Sequence, residues 1–386
     1  MEKSKKLSVI LFALLIGFLI YSCTNDSNNS SSTSTSNGNS STTGSTTSGS
    51  SSSVGTIGVS AVVASDPSTC TSLSGIAKLV CLCDQFKASL TTTQQAALQL
   101  SYTYANIKTW SNLPASMSAR IGLRLGDLTT TQVALAKAIV KQISGTTSNE
   151  GYDEVQQLLL ADDYLYANGG GSTYGSGNYY LAFFGTPSST GTFEIMFTGH
   201  HKTIQSTFTN GTFVSATPSF AAVEPTTFSA NGTSYSPINQ ERDAFVAILA
   251  VLSSTELAMA KSSSTFSDLV CGPTANWSFP TTNSGLVCSG LTSAQKTLVL
   301  NAIKTYVNDV DDTNAAAIMA TYTSEIDNTY ILYSGTSAMT ARGDYFRIAG
   351  PHVWIEYSAQ GGVIVSGVHY HSIWRDRIND YATTKS

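Results

Sequence analysis

Four of the five histidines in this 386-residue chain fall in two short motifs. Gly199 is followed by His200 and His201, and one residue separates His369 from His371. Side chains at positions i and i+2 of a strand project from the same face, so His369 and His371 would present both imidazoles together. His200 and His201 could both join them only if the chain turns at Gly199. Because imidazole binds zinc, copper, iron and nickel, we predict that these four histidines hold a transition metal such as zinc or copper, its identity left open.

Carboxylates on neighbouring predicted strands could assist such an ion. Glu356 lies on one of these strands, and we predict it as the catalytic general base, with a role as a ligand or as an orienting group left open. Glu194 shares a strand face with His200 at even spacing and is a second candidate. His352 follows Pro351 at a strand start, which favours a structural role.

Other catalytic signatures are missing from the sequence, which lacks a G-x-S-x-G elbow, a G-x-x-x-x-G-K-[ST] phosphate loop and an H-E-x-x-H zinc motif. The histidines therefore support either a metal-dependent hydrolase or redox enzyme, or a metal carrier without turnover. An open coordination position would separate these two hypotheses. The alternative is a non-catalytic surface-binding or adhesion module for a glycan or a protein, which the 18 tyrosines favour.

The elements that must position these residues begin with four copies of one helix-start pattern. In each, Leu is followed by Ser or Thr, then two residues, then Gln or Glu, so that hydroxyl and carboxamide or carboxylate can cap the first turn reciprocally. The copies are Leu90–Gln94, Leu128–Gln132, Leu252–Glu256 and Leu291–Gln295. They predict helices, and because each half of the chain contains a pair of them, an internal duplication is left open.

Two other segments have the alternation and turn signals of β-strands. The first covers residues 178–216 and contains the hairpin signal Asn210-Gly211, and the second covers residues 330–374. Since helices and strands are segregated, we predict an α+β fold in which one antiparallel sheet draws strands from both β blocks and packs against helices.

The N-terminus has the pattern of an export signal. Basic residues precede an apolar run from Val9 to Ile20, which is short for a membrane-spanning helix. Cys23 directly follows Ser22 and resembles the cysteine of a bacterial lipobox. We predict a lipoprotein signal peptide over residues 1–22 and lipidation, as by palmitate, at Cys23, with ordinary secretion as the alternative. The implied location is the bacterial cell envelope, such as the outer membrane, with the protein lipid-anchored and facing the periplasm or the surface.

Residues 23–55 are dominated by Ser, Thr, Asn and Gly, a composition that cannot offset the entropy of ordering. We predict a disordered Ser/Thr-rich tether here and a single globular domain over residues 56–386. The membrane is the expected partner through the lipid, and a small-molecule, glycan or protein partner is unknown.

Charge excludes one class of partner. The chain has 20 Lys and Arg against 25 Asp and Glu, a formal net charge of −5, and only 12% of its residues are charged. A nucleic-acid-binding protein would show a clustered basic surface, so no nucleic-acid partner is expected.

The cysteines are expected to be oxidised if the chain is exported. Cys271 and Cys288 bracket a loop rich in Pro, Gly, Asn and Ser, and we predict a disulfide between them. Cys70 is expected to pair with Cys81 or with Cys83, and the sequence does not decide between these two.

Longer motifs between about Leu90 and Tyr381 resemble the bacterial domain-of-unknown-function family numbered 3500. These motifs are Trp110–Pro114, Arg120–Arg124, Tyr179–Ser188, Gly199–His201, Thr217–Phe220, Gly350–Tyr357, His369–Asp376 and Asn379–Tyr381. The resemblance implies one domain that holds both histidine motifs in a common scaffold, and it implies no particular reaction. The sequence departs from the family pattern at Ala382, where Gly is expected, and in the cysteine-bracketed insertion.

Overall fold

The computed structural model describes residues 52–382. The helices in this range are α1 Gly75–Ala88, α2 Thr92–Leu98, α3 Tyr104–Ile107, α4 Thr130–Gln142, α5 Gly151–Leu165, α6 Asn239–Val251, α7 Ser254–Ala260, α8 Ser293–Val307 and α9 Asp312–Ser324. The strands are β1 Gln99–Leu100, β2 Leu123–Arg124, β3 Tyr180–Phe184, β4 Thr192–Thr198, β5 Lys202–Thr209, β6 Thr212–Ser215, β7 Ser219–Val223, β8 Phe228–Ala230, β9 Thr233–Tyr235, β10 Leu286–Val287, β11 Tyr330–Ser334, β12 Tyr345–Ala349, β13 Val353–Gly361 and β14 Val368–Asp376.

Twelve of these strands form one sheet, which draws on both predicted β blocks. Its main order is β1-β3-β4-β5-β7-β14-β13-β12-β11-β10, with β2 beside β3 and β6 beside β5, while β8 and β9 form a separate hairpin. The pairs are antiparallel except for β1 with β3. The predicted α+β class and the single mainly antiparallel sheet are therefore confirmed. Asn210 and Gly211, both at positive φ, form the predicted turn between β5 and β6.

The two faces of the sheet are covered differently. On β14, Tyr370 and Trp374 pack into the larger core, which also contains residues of α6 and α8. The intervening Ile373 packs on the opposite face with Phe220 and with Trp110 from the loop after α3. This alternation places His369 and His371, which alternate in step with Ile373, on the face of the sheet opposite α6 and α8.

All four predicted helix starts are present. Thr91, Thr129, Ser253 and Thr292 each accept a hydrogen bond from the amide of the residue three positions on, and the Gln or Glu side chain there accepts from the cap amide. These reciprocal bonds fix where α2, α4, α7 and α8 begin.

The order of elements occurs twice along the chain. In the first repeat α2 leads into β1, which lies parallel to β3, and β2 precedes α4, α5 and the meander β3-β4-β5. In the second repeat α7 leads into a parallel bridge from Lys261 to β11, and β10 precedes α8, α9 and the meander β11-β12-β13. The repeats meet where β7 pairs antiparallel with β14 at the middle of the sheet. The internal duplication left open by the sequence is thus a feature of the fold.

Equivalent backbone bonds place one histidine of each repeat at the same position. The Gly199 amide donates to Lys202 (2.9 Å), as the Gly350 amide donates to Val353 (2.8 Å). The His201 carbonyl accepts a hydrogen bond from a backbone amide of β7, and the His352 carbonyl accepts one from the amide of the residue after β14. His352 is therefore the counterpart of His201 in the second repeat.

The predicted disulfide between Cys271 and Cys288 is wrong, because both thiols are free. Cys288 packs into the core beneath the helices, whereas Cys271 packs with Trp354 on the opposite face. The Cys271 amide donates a hydrogen bond to a side chain on β13, whereas Cys288 follows β10. The two cysteines are therefore separated by about three strand spacings, or roughly 14 Å. A disulfide needs Cα atoms within about 7 Å.

The other cysteine prediction is resolved. Cys70 forms a disulfide with Cys81, which lies in the middle of α1, and Cys83 is a buried free thiol. The predicted signal peptide and the lipidation of Cys23 lie outside the described residues, as does most of the predicted tether.

The C-terminal segment is held against the domain by polar contacts. Arg375 donates to the Asp380 carboxylate at 2.6 Å with both side chains fully buried, and Asp376 accepts the amides of Ile378 and Asn379. Among residues 52–382, none of the helices has the length and apolarity needed to cross a membrane.

Candidate metal centre

The first histidine pair forms the tight turn that its adjacency requires. Gly199, His200 and His201 link β4 to β5, and the Gly199 amide donates to the Lys202 carbonyl across the turn. Gly199 is needed because a Cβ there would lie 2.3 Å from the Tyr179 ring. On the far side of the turn, the buried Lys202 ammonium pairs with carboxylates of the helical layer. The turn is thereby anchored on both sides, and its two imidazoles stack with ring centroids 3.4 Å apart.

The second pair, on β14, faces a common point. Nδ1 of His369 lies 2.9 Å from the Gly361 carbonyl oxygen, and Nδ1 of His371 lies 2.9 Å from Oδ1 of Asp268. The two Nε2 atoms lie 2.8 Å from each other. Each imidazole is thus oriented through one nitrogen and directs the other nitrogen at its neighbour.

These contacts fix the tautomers. A carbonyl oxygen and a carboxylate can only accept hydrogen bonds, so both Nδ1 atoms must carry the proton and both neutral rings present a lone pair at Nε2. Two lone pairs at 2.8 Å repel unless a proton or a metal ion lies between them. Burial, reinforced by the neighbouring His371, lowers the pKa of His369 to about 4, which disfavours the proton near neutral pH.

His201 completes a set of three. One ligand atom from each of His201, His369 and His371 lies within 4.8 Å of the others, and all three residues are buried. Burial, followed by the charges of the neighbouring imidazoles, lowers the pKa of His201 well below its usual value. A buried neutral imidazole keeps its lone pair free for a metal ion.

His200 belongs to a second set, with Asp162 and His201. Its Nδ1 lies 3.0 Å from Oδ1 of Asp162, a residue on α5. The four histidines predicted as one ligand group are thus brought together, but as two overlapping sets that share His201.

Glu356 lies on the same face as His371 but is fully engaged elsewhere. One oxygen accepts from the Val270 amide and from the Tyr345 hydroxyl, and the other accepts from the Cys271 amide. The structure therefore gives Glu356 a positioning role: it holds the segment that carries Asp268 against the sheet.

Asp268 is the carboxylate that contacts the histidines on this side. Partial burial would raise the pKa of Asp268, but the hydrogen bond from His371 and the Leu269 amide lower it. Its side chain is 43% exposed. A carboxylate that accepts from the second nitrogen of a ligating imidazole is the usual partner of such a ligand.

The sequence did not single out Asp162 or Asp268. Asp162 sits on a helix 38 residues before His200, and Asp268 lies 103 residues before His371 in a loop. No spacing pattern signals contacts this remote. The one available hint is that acidic residues are scarce in a chain with 12% charged residues.

The hairpin that carries His369 is braced by a buried carboxylate. Oε1 of Glu224 accepts hydrogen bonds from three successive amides, those of Val363, Ile364 and Val365, at 2.6–2.7 Å. These residues follow Gly361, whose carbonyl orients His369. Glu224 therefore stabilises the end of the hairpin whose Gly361 carbonyl orients the His369 imidazole.

Two other sequence candidates lie away from the three-histidine set. Glu194 is fully buried and accepts from Thr207, and burial raises its pKa to about 8. His352 contacts Glu325 through Nδ1 and lines a separate cavity of about 230 Å³ beside Trp374.

Comparison with known proteins gives one match. Residues 73–383 match a family described as "Protein of unknown function (DUF3500)", and this range contains every residue of the two histidine sets. Neither the curated proteins nor the solved structures include a significant match to the chain.

Proposed function

The chain belongs to the DUF3500 family, and since that family's description assigns no reaction, we propose from the histidine geometry that the protein binds a transition metal and uses it for hydrolysis. The ion is held by His201, His369 and His371. The observation that carries this proposal is the pair of Nε2 lone pairs facing each other at 2.8 Å, with both Nδ1 atoms already committed.

Zinc is the ion that best suits this donor set. Two nitrogens each about 2.0–2.1 Å from tetrahedral Zn²⁺ are roughly 3.3 Å apart, so the two rings need to separate by only about 0.5 Å. Three nitrogen ligands leave one position for water, and a bound zinc ion lowers the pKa of that water to about 7. Asp268, partly exposed beside His371, is then our candidate for the carboxylate that accepts a proton.

Metal content tests the binding step. The full chain is purified without a polyhistidine tag, loaded with Zn²⁺, and compared by mass spectrometry of metals with a His369→Ala/His371→Ala variant. We expect at least one zinc ion per chain in the wild type and at least one ion fewer per chain in the double variant, because the proposed site loses two of its three ligands. His352→Ala is the matched control, because His352 occupies the equivalent position in the other repeat and should leave zinc unchanged.

Hydrolysis is tested separately with chromogenic ester and phosphate substrates. Turnover that requires zinc and disappears in the double variant supports the enzyme. Stoichiometric zinc without turnover, together with a Co²⁺ spectrum showing four protein ligands, would instead assign a carrier. A chain that never binds metal leaves the surface-binding alternative in place.

We propose further that the protein is exported and anchored by a lipid on Cys23. The sequence of residues 1–22 supports this, and the disulfide between Cys70 and Cys81 is typical of oxidising compartments. Cys23→Ser should move the protein from the membrane fraction to the soluble fraction and abolish incorporation of labelled palmitate. Membrane association that survives this substitution would exclude the lipid anchor.

A further inference from the structure

The second set of ligand atoms contains a nitrogen that has no partner. Nδ1 of His201 makes no hydrogen bond although the side chain is only 2% exposed. Its nearest charged neighbour is Oδ1 of Asp162, at 3.8 Å. A buried polar atom without a partner normally costs free energy, so its retention calls for a ligand.

The distances suit two ligands of one cation better than a hydrogen bond. A hydrogen bond from Nδ1 to a carboxylate spans about 2.7–2.9 Å. Two atoms that each lie about 2.0–2.1 Å from one metal ion are between roughly 3.3 and 4.2 Å apart, depending on the angle between them. The separation of 3.8 Å between His201 and Asp162 falls in this second interval. His200, whose Nδ1 lies within hydrogen-bond range of the same oxygen at 3.0 Å, would supply a third donor after a shift of about 0.3 Å.

The negative charge of the buried Asp162 carboxylate also favours a bound cation. Asp162 is completely buried, and across the part of the chain that the structure describes no Lys or Arg nitrogen lies within 4.0 Å of its carboxylate. A buried carboxylate that stays ionised needs a positive partner. Either the imidazolium form of His200 or a metal cation must supply it.

We propose that Asp162, His200 and Nδ1 of His201 bind a second transition-metal ion, so that the protein holds a two-metal centre. This rests on the proposed function for the first ion, which Nε2 of His201 then shares with His369 and His371. His201 bridges the two ions as an imidazolate, and its single ring proton passes to solvent. His200 stays neutral with its proton on Nε2.

The metal-to-protein ratio tests the second ion. The full chain is loaded with Zn²⁺ and, separately, with Cu²⁺, and the ratio is measured after removal of excess metal. We expect two ions in the wild type, one in Asp162→Asn, one in His200→Ala, and one in His369→Ala/His371→Ala. Asp162→Asn keeps the size of the side chain and its hydrogen bond to His200, so a folded variant is expected, and circular dichroism checks it.

The copper form gives a readout that stoichiometry alone does not. Two Cu²⁺ ions joined by an imidazolate couple magnetically, so the paramagnetic signal of the wild type should fall well below two spins per chain. It should return to one full spin in Asp162→Asn.

The outcomes are distinct. One ion in the wild type, unchanged in Asp162→Asn, would overturn the second site and leave Asp162 as an ion-pair partner of His200, with the first site intact. Two uncoupled copper ions would overturn the bridge. No metal in the wild type would overturn both the second site and the proposed function.

Discussion

At the scale of single residues, the chemistry depends on which ring nitrogen is already occupied. The H-x-H spacing was enough to predict that His369 and His371 share a face, because strand periodicity decides it. The carboxylates that orient the imidazoles could not be predicted, because Asp268 reaches His371 from a loop without regular periodicity. The sequence predicts that Glu356 lies on a neighbouring strand. Three donors occupy its oxygens, and a sequence does not show how many hydrogen bonds a buried carboxylate accepts.

Asp268, which accepts a hydrogen bond from His371, should affect the affinity for zinc without being a metal ligand. Asp268→Ala removes the acceptor at Nδ1, frees the ring to rotate and reduces the basicity of Nε2, so we expect zinc affinity to fall about 10–100-fold. Competition with a chromogenic chelator measures it. Asp243→Ala, an exposed change on α6, is the control. Equal affinities for wild type and Asp268→Ala would show that this carboxylate does not act on the site.

The raised pKa of Glu194 predicts how the free energy of unfolding depends on pH. Burial raises its folded-state pKa to about 8, above the ordinary 4.5 expected in the unfolded chain. Between these values the folded state binds more protons than the unfolded state, so the free energy of unfolding falls as pH rises from about 4.5 to 8. Glu194→Gln removes this loss and should stabilise the protein by up to roughly 5 kcal/mol at pH 9, with little difference near pH 4.

Urea unfolding of wild type and Glu194→Gln at pH 4.5, 7 and 9 measures this difference. Two stability curves that stay parallel across the range would mean that Glu194 ionises normally in the folded protein.

At the scale of elements, local signals predicted best. The four helix starts were evident because a capping box needs only a fixed four-residue spacing, and the Asn210-Gly211 turn because both residues tolerate positive φ. The disulfide prediction failed for the opposite reason. Cys271 and Cys288 are near in sequence, but strands that return from elsewhere in the chain separate them across the sheet.

A cap at α8 should contribute measurably to stability. Thr292→Ala removes the acceptor for the Gln295 amide and should cost about 1 kcal/mol in the free energy of unfolding. Ser293→Ala, one residue on in the first helical turn and outside the reciprocal pair, is the matched control. Chemical denaturation compares the two, and equal losses would argue against the capping box as the cause.

The disulfide that ties Cys70 to α1 should stabilise the fold by restricting the conformations of the unfolded chain. It closes a loop with a sequence separation of 11 residues, for which the entropy lost by the unfolded chain corresponds to about 3 kcal/mol. A Cys70→Ser/Cys81→Ser variant should therefore unfold at lower urea. If a reducing agent lowers the stability of this variant as much as that of the wild type, the bond does not carry the effect.

At the scale of the whole molecule, the two repeats share one sheet, but only the second contains an H-x-H pair. His352 occupies the position in the second repeat that His201 occupies in the first. Strands β6 and β7 of the first repeat take the place of β14 in the second, and they contain no histidine. The sequence hinted at the duplication through its paired helix starts. It could not show the antiparallel junction of β7 with β14, since strand order depends on packing between distant segments.

The junction should make the repeats unfold together. Phe220 lies on β7 opposite Ile373 on β14, and both are buried. Phe220→Ala should lower the free energy of unfolding by about 3–5 kcal/mol while leaving one transition by fluorescence and by circular dichroism. Val363→Ala, at a position 71% exposed, is the control. Two separate transitions in the wild type would instead show that each repeat is an independent folding unit.

The same junction has a consequence for synthesis. While the ribosome is still translating, β7 can already pair with β5, but its other edge waits for β14, which is completed roughly 150 residues later. At about 5–20 residues per second this interval lasts on the order of 10–30 s. Throughout it, a nascent first repeat presents an unpaired strand edge that could join the same edge of another nascent chain. We therefore expect crowded polysomes to favour dimers exchanged at β7, and a chaperone that shields this edge to raise the yield of monomer.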